Sequence, residues 1–472
     1  MGDEIELEIE EFGPTGDAIG RLDGYVVFVR DAIPGERLRV RISSAKPKFG
    51  RGETLERFES SPRRVTPRCR HFGECGRCVF QHLEYEDQLR LKADSLERLL
   101  RHELPGVSLP LRPMRGMSDP WGMRTKAHFV FTVKDGRPAL GHFRPHSSEA
   151  LPVVECPVHH PLANAAALAT AEAVARHGIP VYREDSHKGS ARHVVVRVGA
   201  ATGQALVTLV TANSRIDHID RFGPRIIHAA PGTTGVYRSL NPHPGPVVIV
   251  GAAEKLAGAD RLIEKVAGIE YHLSPLTFFQ TGAQGAEILV ETVLEFAPAE
   301  AKTVLDLYCG AGLFSLPLAR RGARVLGVEI NAGAVEDAKT SAAANKIAGC
   351  EFLACPAERL FDRLQDVPRP EVVVLDPPRE GCPESVLGRV AGDLRPKTIV
   401  SVSCEPTALA RELAFLTRCG YEIRAIQPVD MFPHTAQIET VVHLERIERP
   451  GPLKQSILQK KSEPGREGRK RR

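Results

Sequence analysis

The sequence predicts a multidomain α/β protein with a small N-terminal β-barrel, a central α+β domain that carries grouped cysteines, and a C-terminal doubly wound sheet. A chain of 472 residues exceeds one ordinary hydrophobic core, which points to two or three domains. Apolar and polar residues alternate near the N-terminus, cysteines are grouped after residue 68, and strands alternate with helices from about residue 300. These patterns give the predicted boundaries 1–58, 59–265 and 266–450.

The first segment has the period-two pattern of short strands that are buried on one face. Its alternating apolar residues are Ile5, Leu7 and Ile9, and then Leu38, Val40 and Ile42. Glycines between the two runs favour tight turns, so residues 1–58 are predicted to close into a small barrel. Arg37, Arg39 and Arg41 would share one face of a strand, where they could meet phosphates.

Four of the ten cysteines predict a metal centre. They are Cys69, Cys75, Cys78 and Cys156. Disulfides are rare in the reducing cytosol, so the spacing of these residues points to metal binding instead. Four thiolates complete either a tetrahedral zinc site or a cubane iron–sulfur cluster. Spacing alone leaves both open.

The rest of the central segment predicts a mixture of helices and strands. A helix is predicted over 85–101, from which it could pack on the C-terminal domain, and an alanine-rich helix over 162–176. Strands are predicted at 127–133, 193–199, 205–211 and 246–251.

The C-terminal segment predicts a ligand crevice at the carboxyl ends of parallel strands. Ligands of doubly wound sheets bind outside those ends. Gly310 and Gly312 follow the strand 303–308 and let a backbone approach a ligand, and Glu329 ends the next strand, where an acid suits the hydroxyls of a ribose. Asp376 lies at a further strand end. The short glycine turn favours S-adenosylmethionine over a dinucleotide.

Cys404 is the candidate nucleophile of this crevice. It lies where an apolar strand ends and a helix begins. The positive end of a helix lowers the pKa of a thiol, so we expect Cys404 to favour the thiolate. Glu439 precedes the last strand and is a candidate base.

Four segments closely resemble the uridine-5 RNA methyltransferase family. They are DLYCGAGLFSLPLA (306–319), LDPPREG (375–381), VSCEPTALARE (402–412) and DMFPHTAQIETVV (430–442). SPLTFFQ (274–280) resembles the entry to the catalytic domain of that family. The resemblance implies a Rossmann-like class I methyltransferase domain that uses S-adenosylmethionine. The cofactor-binding residues that it implies are Gln280, Tyr308, Glu329 and Asp376.

The resemblance also implies the chemistry of the site. Carbon 5 of uracil is a weak nucleophile until a thiolate adds at carbon 6, and this family uses a cysteine for that addition. Cys404 would form the covalent adduct, and Glu439 would later remove the proton from carbon 5. Phe278, Phe279 and Phe432 could stack on a flipped base.

The N-terminal half resembles the larger members of the same family. CRHFGECGRCVFQHL (69–83), together with ECPV (155–158), resembles their [4Fe–4S] segment, which favours the cluster over zinc. The first barrel resembles a TRAM domain, an OB-like RNA-binding module. Members with both features tend to act on large-subunit ribosomal RNA, so the resemblance implies 23S rRNA as the target, with the uridine of the transfer RNA T-loop as the alternative.

Two other functions compete with this one. A methyltransferase acting on adenine or cytosine would share the Asp376-Pro-Pro segment, but Arg379 replaces the aromatic residue expected there. A non-catalytic RNA-binding or chaperone protein would not need the set of Cys404, Glu439 and the two glycines.

Composition limits the partners. No apolar stretch approaches the roughly 20 residues that span a bilayer, and the acidic N-terminus resembles no targeting signal, so we expect a cytoplasmic protein without a membrane partner. The formal net charge is +4, and residues 451–472 contribute eight basic and two acidic residues to it. This end is predicted to be a basic, disordered tail. RNA is the expected partner, and no obligate protein partner is implied.

Overall fold

A computed structural model describes residues 2–213, 216–243, 245, 247–362 and 369–447. The basic tail predicted at 451–472 lies outside these residues. No described helix is long and apolar enough to cross a membrane.

Five strands close the N-terminal barrel in the order β1-β2-β3-β5-β4. They are β1 (Glu4–Phe12), β2 (Ala18–Leu22), β3 (Tyr25–Val29), β4 (Arg37–Ala45) and β5 (Phe49–Glu59). Alternate side chains such as Leu7, Val27 and Leu38 point inward and are buried, as the period-two pattern predicts.

The outer face of β4 carries Arg37, Arg39 and Arg41, which share one face of the strand as expected. Its three arginines each pair with a glutamate of a neighbouring strand: Arg37 with Glu6 at 2.7 Å, Arg39 with Glu56 at 3.1 Å, and Arg41 with Glu4 at 3.2 Å. Glu4 and Glu56 lie directly across from their arginines and Glu6 lies diagonally, so the charges on this face are balanced within the barrel.

Helix α1 (Tyr85–Glu103) follows the cysteine segment and packs on the C-terminal sheet layer. Leu96 and Leu100 are fully buried in the same core as residues of the last third of the chain. Because apolar positions recur at helical spacing, one face of α1 is apolar and is covered by that core.

The central sheet has seven strands in the order β12-β11-β10-β9-β6-β7-β8. They are β6 (Lys126–Lys134), β7 (Arg137–Phe143), β8 (Ala150–Pro152), β9 (Ala191–Gly199), β10 (Gln204–Thr211), β11 (Thr233–Leu240) and β12 (Ala253–Gly258). Two helices cover it, α2 (Pro161–Arg176) and α3 (Phe222–Ala229). The strand predicted at 246–251 is wrong for its described residues, because β12 pairs with β11 instead and Val247 is 62% exposed.

A hairpin of β13 (Leu262–Val266) and β14 (Ile269–Leu273) leads into the C-terminal sheet. That sheet has the order β17-β16-β15-β18-β19-β21-β20. Its strands are β15 (Thr303–Leu307), β16 (Arg324–Glu329), β17 (Cys350–Ala354), β18 (Val372–Leu375), β19 (Thr398–Ser403), β20 (Tyr421–Val429) and β21 (Glu439–Arg446). β15–β19 are parallel and β21 is antiparallel to both of its neighbours, which agrees with the predicted doubly wound sheet.

Helices cover both faces of this sheet. They are α4 (Ala283–Phe296), α5 (Ser315–Arg320), α6 (Ala332–Ala344), α7 (Ala357–Leu360), α8 (Glu384–Arg389) and α9 (Pro406–Arg418). The chain runs from β15 outward to β16 on one side and continues with β18 on the other. This change of direction opens a crevice at the carboxyl ends of β15 and β18.

Candidate active site

The turn after β15 forms one wall of the crevice. Tyr308, Gly310 and Gly312 all have positive φ angles, of 65°, 54° and 84°, so the chain reverses sharply there. The amide of Gly310 donates a hydrogen bond to the Glu329 carboxylate at 3.1 Å, which joins the ends of β15 and β16. A side chain at Gly310 would meet no atom within 4 Å, so the surface above it is open to a ligand.

A buried acid lies below this turn. Asp306 is fully buried and accepts a hydrogen bond from the Ser315 hydroxyl at 2.5 Å, while its other carboxylate oxygen has no partner. Burial raises the pKa of Asp306 to about 7. The hydrogen bond fixes the start of α5 under the turn.

Asp337 holds the segment that carries Gln280, and the sequence did not single it out. One oxygen of this fully buried carboxylate accepts three hydrogen bonds: from the amide and hydroxyl of Ser274 at 2.8 and 2.7 Å, and from the hydroxyl of Thr277 at 2.6 Å. Its other oxygen accepts from Arg261 at 2.8 Å. The segment 274–280 is thereby fixed on α6, and Gln280 at its end is 8% exposed.

Phe278 and Phe279, two of the aromatic residues expected to stack on a flipped base, have different surroundings. Phe278 is 61% exposed, whereas Phe279 is buried with its ring 5.0 Å from that of Tyr271. Phe279 therefore packs in the core, and Phe278 is free to meet a ligand.

Cys404 opens onto a cavity of about 460 Å³. The residue directly follows β19 and is half-buried. The cavity is lined by all three major parts of the chain: Pro14 and Thr15 of the barrel, Arg77 and Arg124 of the central part, and Arg379, Cys404 and Thr435–Ile438 of the C-terminal part. Arg77, Arg124 and Arg379 line this cavity against a single acid, Glu405, so the cavity wall is basic.

The charges around Cys404 overturn the expected thiolate. Burial and then the charge of Glu439 raise the pKa of the Cys404 thiol to about 11, while Arg379 lowers it. In the free protein, the positive N-terminal end of α9 therefore lowers the pKa of Cys404 by less than burial raises it. The strand register places the two residues at neighbouring positions, because Ser403 at the end of β19 pairs with Thr440 of β21, next to Glu439.

Two further carboxyl groups share this environment. Glu439 begins β21 and is 3% exposed, and burial and the charge of Asp376 raise its pKa well above the usual range. Burial, Asp306 and Glu329 raise the pKa of Asp376 to about 8. The strand ends thus bring together Cys404, Glu439, Asp376 and Glu329. Tyr308 lies nearby, with its hydroxyl 3.7 Å from the Cys382 sulfur.

The four candidate metal-binding cysteines line one small cavity. Cys69, Cys75, Cys78 and Cys156 surround about 20 Å³, together with His71, Gln81 and His142. Burial and the charges of the other three cysteines raise the pKa of Cys78 to about 12, while a hydrogen bond with Gln81 lowers it. Burial also raises the pKa values of Cys75 and Cys156, and buried thiols gathered in this way suit a cationic group between them.

Cys156 also belongs to a second, more compact set. Its sulfur and one ring nitrogen each of His142 and His159 all lie within 4.8 Å of one another. Both nitrogens of His142 lack a hydrogen-bond partner. Among the described residues, Cys69, Cys75 and Cys78 form no set as compact as this.

Two family profiles match this chain. The profile described as tRNA (Uracil-5-)-methyltransferase matches residues 259–447, which hold β13 to β21 and the crevice. The profile of the TRAM domain matches residues 1–55, which hold most of the barrel. The predicted TRAM barrel and methyltransferase domain are confirmed by these matches and by the two sheets.

Several relatives are similar over nearly the whole chain. An uncharacterised RNA methyltransferase of Halalkalibacterium halodurans is 35% identical over 446 residues, covering 94% of this chain and 97% of the relative. A second, of Clostridium acetobutylicum, is 34% identical over 450 residues, covering 94% of this chain and 98% of the relative. The crystal structure of the tRNA (uracil-54, C5)-methyltransferase of Pyrococcus abyssi with S-adenosyl-L-homocysteine is similar at a TM-score of 0.74 and 26% identity, covering 93% of this chain and 100% of that one.

Proposed function

Because this chain belongs to the uracil-5 RNA methyltransferase family, whose members use S-adenosylmethionine, we propose that it methylates carbon 5 of a specific uridine in RNA through Cys404 and Glu439. The observation that carries this proposal is that a half-buried thiol and a buried carboxyl group lie at paired strand ends, because Ser403, before Cys404, pairs with Thr440, after Glu439. The charge of Glu439 acts directly on the Cys404 thiol. A thiol and a base this close suit covalent catalysis followed by proton abstraction.

The reaction proceeds in three steps. The Cys404 thiolate, once the thiol has lost its proton, forms a bond to carbon 6 of the uracil, and the electron pair of the C5–C6 double bond moves into an enolate that makes carbon 5 nucleophilic. Bound S-adenosylmethionine supplies the methyl group, and carbon 5 takes it, which leaves S-adenosylhomocysteine. The Glu439 carboxylate then removes the proton from carbon 5, the C5–C6 double bond re-forms, and the Cys404 thiolate leaves.

The burial of Cys404 and Glu439 affects when each group gains or loses a proton during these reaction steps. Cys404 favours its protonated form in the free protein, because burial raises its pKa to about 11, and burial also raises the pKa of Glu439. The thiol therefore needs to lose its proton when RNA enters, and the nearby Arg379 stabilises the thiolate that results. Burial keeps Glu439 away from solvent, so a proton that it takes from carbon 5 stays in the site until the product leaves.

Four residues are proposed to bind S-adenosylmethionine. Glu329 lies at the end of β16, where its carboxylate can accept hydrogen bonds from the ribose, and Asp376 lies at the end of β18. Tyr308 begins the open turn after β15, and Gln280 ends the segment held by Asp337. Their positions at the crevice support this assignment.

We propose 23S rRNA as the first target and transfer RNA as the second. The combination of a TRAM barrel with a metal-binding cysteine set supports ribosomal RNA by resemblance. The similarity to the Pyrococcus abyssi enzyme, which acts on uracil-54 of tRNA, favours transfer RNA. A basic cavity wall that includes Arg77 and Arg124 suits a nucleic acid of either kind.

We propose that Cys69, Cys75, Cys78 and Cys156 hold a [4Fe–4S] cluster, with zinc as the alternative. Four zinc-bound sulfurs would lie about 3.8 Å apart, because each Zn–S bond is about 2.3 Å long and the geometry is tetrahedral. The four cysteines line one cavity, but no three of their sulfurs lie within 4.8 Å of one another. This wider spacing favours the larger cluster. Zinc could instead use Cys156 with His142 and His159.

The reaction is tested with purified protein, labelled S-adenosylmethionine, and unmodified ribosomal or transfer RNA in separate reactions. The RNA is digested and the labelled nucleoside identified. We expect 5-methyluridine, no product from Cys404→Ala, and full activity from Cys419→Ala, a control at a half-buried cysteine that ends α9. Label in a methylated adenine or cytosine would refute the mechanism. No label in either RNA, with RNA binding intact, would support a non-catalytic RNA-binding protein.

A further inference from the structure

The loop between β20 and β21, residues 430–438, leads directly to Glu439 and is called the base loop here. Its second half, Thr435 to Ile438, lines the cavity of Cys404. Its first half is held by residues from outside the C-terminal sheet. The position of Glu439 therefore depends on contacts with the cysteine segment and α1.

The first contact is a fully buried ion pair. The Lys92 ammonium of α1 lies 2.7 Å from the Asp430 carboxylate, and the two side chains are 1% and 0% exposed. Lys92 also donates a hydrogen bond to the carbonyl of Phe432 at 3.0 Å. The same oxygen of Asp430 accepts a hydrogen bond from the amide of Phe432 at 3.0 Å. One ammonium group thus fixes the first turn of the base loop.

The second contact is at His434. This residue has a φ of 66°, a left-handed conformation that a residue with a side chain keeps only where its surroundings enforce it. Its amide donates to the Gln88 side-chain oxygen at 2.9 Å, and its ring nitrogen lies 3.3 Å from the Gln88 amide nitrogen. The ring also stacks on that of Trp121, with centroids 4.0 Å apart.

The third contact connects the base loop to the metal-binding cysteines. The carbonyl of His434 accepts hydrogen bonds from the amides of Val79 at 2.8 Å and Phe80 at 3.1 Å. These two residues directly follow Cys78. A group that binds Cys78 therefore fixes the backbone that holds His434, although the cysteines are far from Glu439 in sequence.

Cys404 is held by other contacts than those that hold the base loop and Glu439. Cys404 follows β19, a central strand that pairs with β18 and β21, and it precedes α9. Its neighbour Ser403 bonds locally, to the amide of Glu405 at 3.3 Å. Loosening the first half of the base loop would move Glu439 before it moved Cys404.

We propose that Lys92, Gln88 and the segment Cys78–Phe80 are positioning residues that hold the base loop, and that the metal-bound cysteines thereby control the proton-abstraction step. The inference rests on the proposed roles of Cys404 and Glu439. It separates two halves of the reaction: formation of the Cys404 adduct is independent of this support, and release of the methylated product requires it.

The test uses Lys92→Met in the full-length, metal-loaded protein. With uridine RNA and S-adenosylmethionine, we expect turnover to fall at least tenfold, KM for RNA to stay within about twofold, and a methylated protein–RNA adduct to accumulate on denaturing gels. RNA transcribed with 5-fluorouridine has no proton to remove from carbon 5, so adduct formation with it reports only the earlier steps, and we expect it to stay within about twofold of the unmodified protein. Glu439→Gln provides the reference for a trapped adduct.

The matched control is Arg90→Met, which changes an exposed cation on the same helix. It should leave turnover unchanged. Gln88→Met removes the contacts with His434 without leaving a buried charge, so it provides a second variant if Lys92→Met folds poorly. If Lys92→Met and Gln88→Met both fold and lose adduct formation and product release to the same degree, the proposal is overturned. Unchanged turnover in both variants would overturn it as well.

Hydrogen exchange gives a measurement that does not depend on activity. Amides of residues 430–438 should exchange faster in Lys92→Met, and also in the native sequence after a chelator removes the metal, whereas those of β19 should not change. Exchange that rises equally in both segments, or in neither, would refute the positioning role. Failure of the proposed function gives a different result, since the unmodified protein would then form no Cys404 adduct with 5-fluorouridine RNA at all.

Discussion

The carboxyl group of Glu439 at the start of β21 lies in the electrostatic field of Asp376 at the end of β18, and burial and then this like charge raise the pKa of Glu439 well above its usual range. The pKa of Asp376 is itself raised to about 8. β18 and β21 lie on opposite sides of β19, so they bring these two acids to the same edge of the sheet as Cys404. The protonation of all three groups is therefore linked.

The first prediction concerns the reactivity of the Cys404 thiol. With a pKa of about 11, only about 1% of it is thiolate at pH 9. Glu439→Gln removes a like charge and should speed alkylation of Cys404, about tenfold for each unit by which its pKa falls. Arg379→Ala removes a stabilising cation and should slow it.

Alkylation is measured by mass spectrometry of the peptide that contains Cys404, between pH 8 and 10. Glu405→Gln is the matched control, because Glu405 lines the same cavity and adjoins Cys404 but is not a cause of its raised pKa. If Glu439→Gln and Glu405→Gln gave the same rate, Glu439 would not be the charge that suppresses the thiolate.

The second prediction is the effect of Asp376 on stability. Its pKa rises from about 3.9 in the unfolded chain to about 8 in the folded protein, so between these values the folded state binds more protons. The free energy of unfolding that depends on Asp376 therefore falls as pH rises from about 4 to about 8. Asp376→Asn should remove this loss. The melting temperature of the variant, relative to that of the unmodified protein, should therefore be higher at pH 8 than at pH 5.

Thermal melts at several pH values check this. Asp393→Asn, at an exposed acid of the same domain, should follow the unmodified protein throughout. A constant difference between Asp376→Asn and the unmodified protein from pH 5 to 8 would mean that Asp376 is ionised in the folded state.

The third prediction is that Asp337 supports cofactor binding without touching the cofactor. Asp337→Ala leaves Ser274 and Thr277 without their shared acceptor, so the segment that carries Gln280 should loosen. We expect the Kd for S-adenosylmethionine, measured by calorimetry, to rise about tenfold, which corresponds to about 1.4 kcal/mol. Glu336→Ala, at the adjacent exposed position of α6, should bind normally, and equal affinities for the two variants would contradict the role of Asp337.

The sequence predicted the crevice because its strands are continuous apolar runs that end in chemically distinctive residues. β15, β16, β18 and β19 were identified in this way, and the order of such strands in a doubly wound sheet brings their ends together. An apolar run alone was not sufficient at 246–251. There, the neighbouring segment 253–258 pairs with β11 and leaves Val247 exposed.

Contacts between distant parts of the chain were not predictable. The prediction for Cys404 used only the local helix end and missed the burial and the charge of Glu439, which arrives on another strand. Lys92 pairs with Asp430 across 338 residues, and periodicity on α1 showed only its apolar face. Such ion pairs are set by tertiary packing, which local patterns do not encode.

The last prediction identifies which residues hold the metal. If Cys69, Cys75, Cys78 and Cys156 hold an iron–sulfur cluster, Cys75→Ser should lose iron and sulfide together, whereas His142→Ala should retain both, because no cluster ligand has been removed. If zinc is held by Cys156, His142 and His159, the result reverses: His142→Ala loses zinc and Cys75→Ser retains it. Metal and sulfide analysis of anaerobically purified protein, with the visible absorbance of the cluster as a second readout, distinguishes the two sites. Cys350→Ser, at a cysteine of β17 outside both sets, is the control and should leave the metal content unchanged.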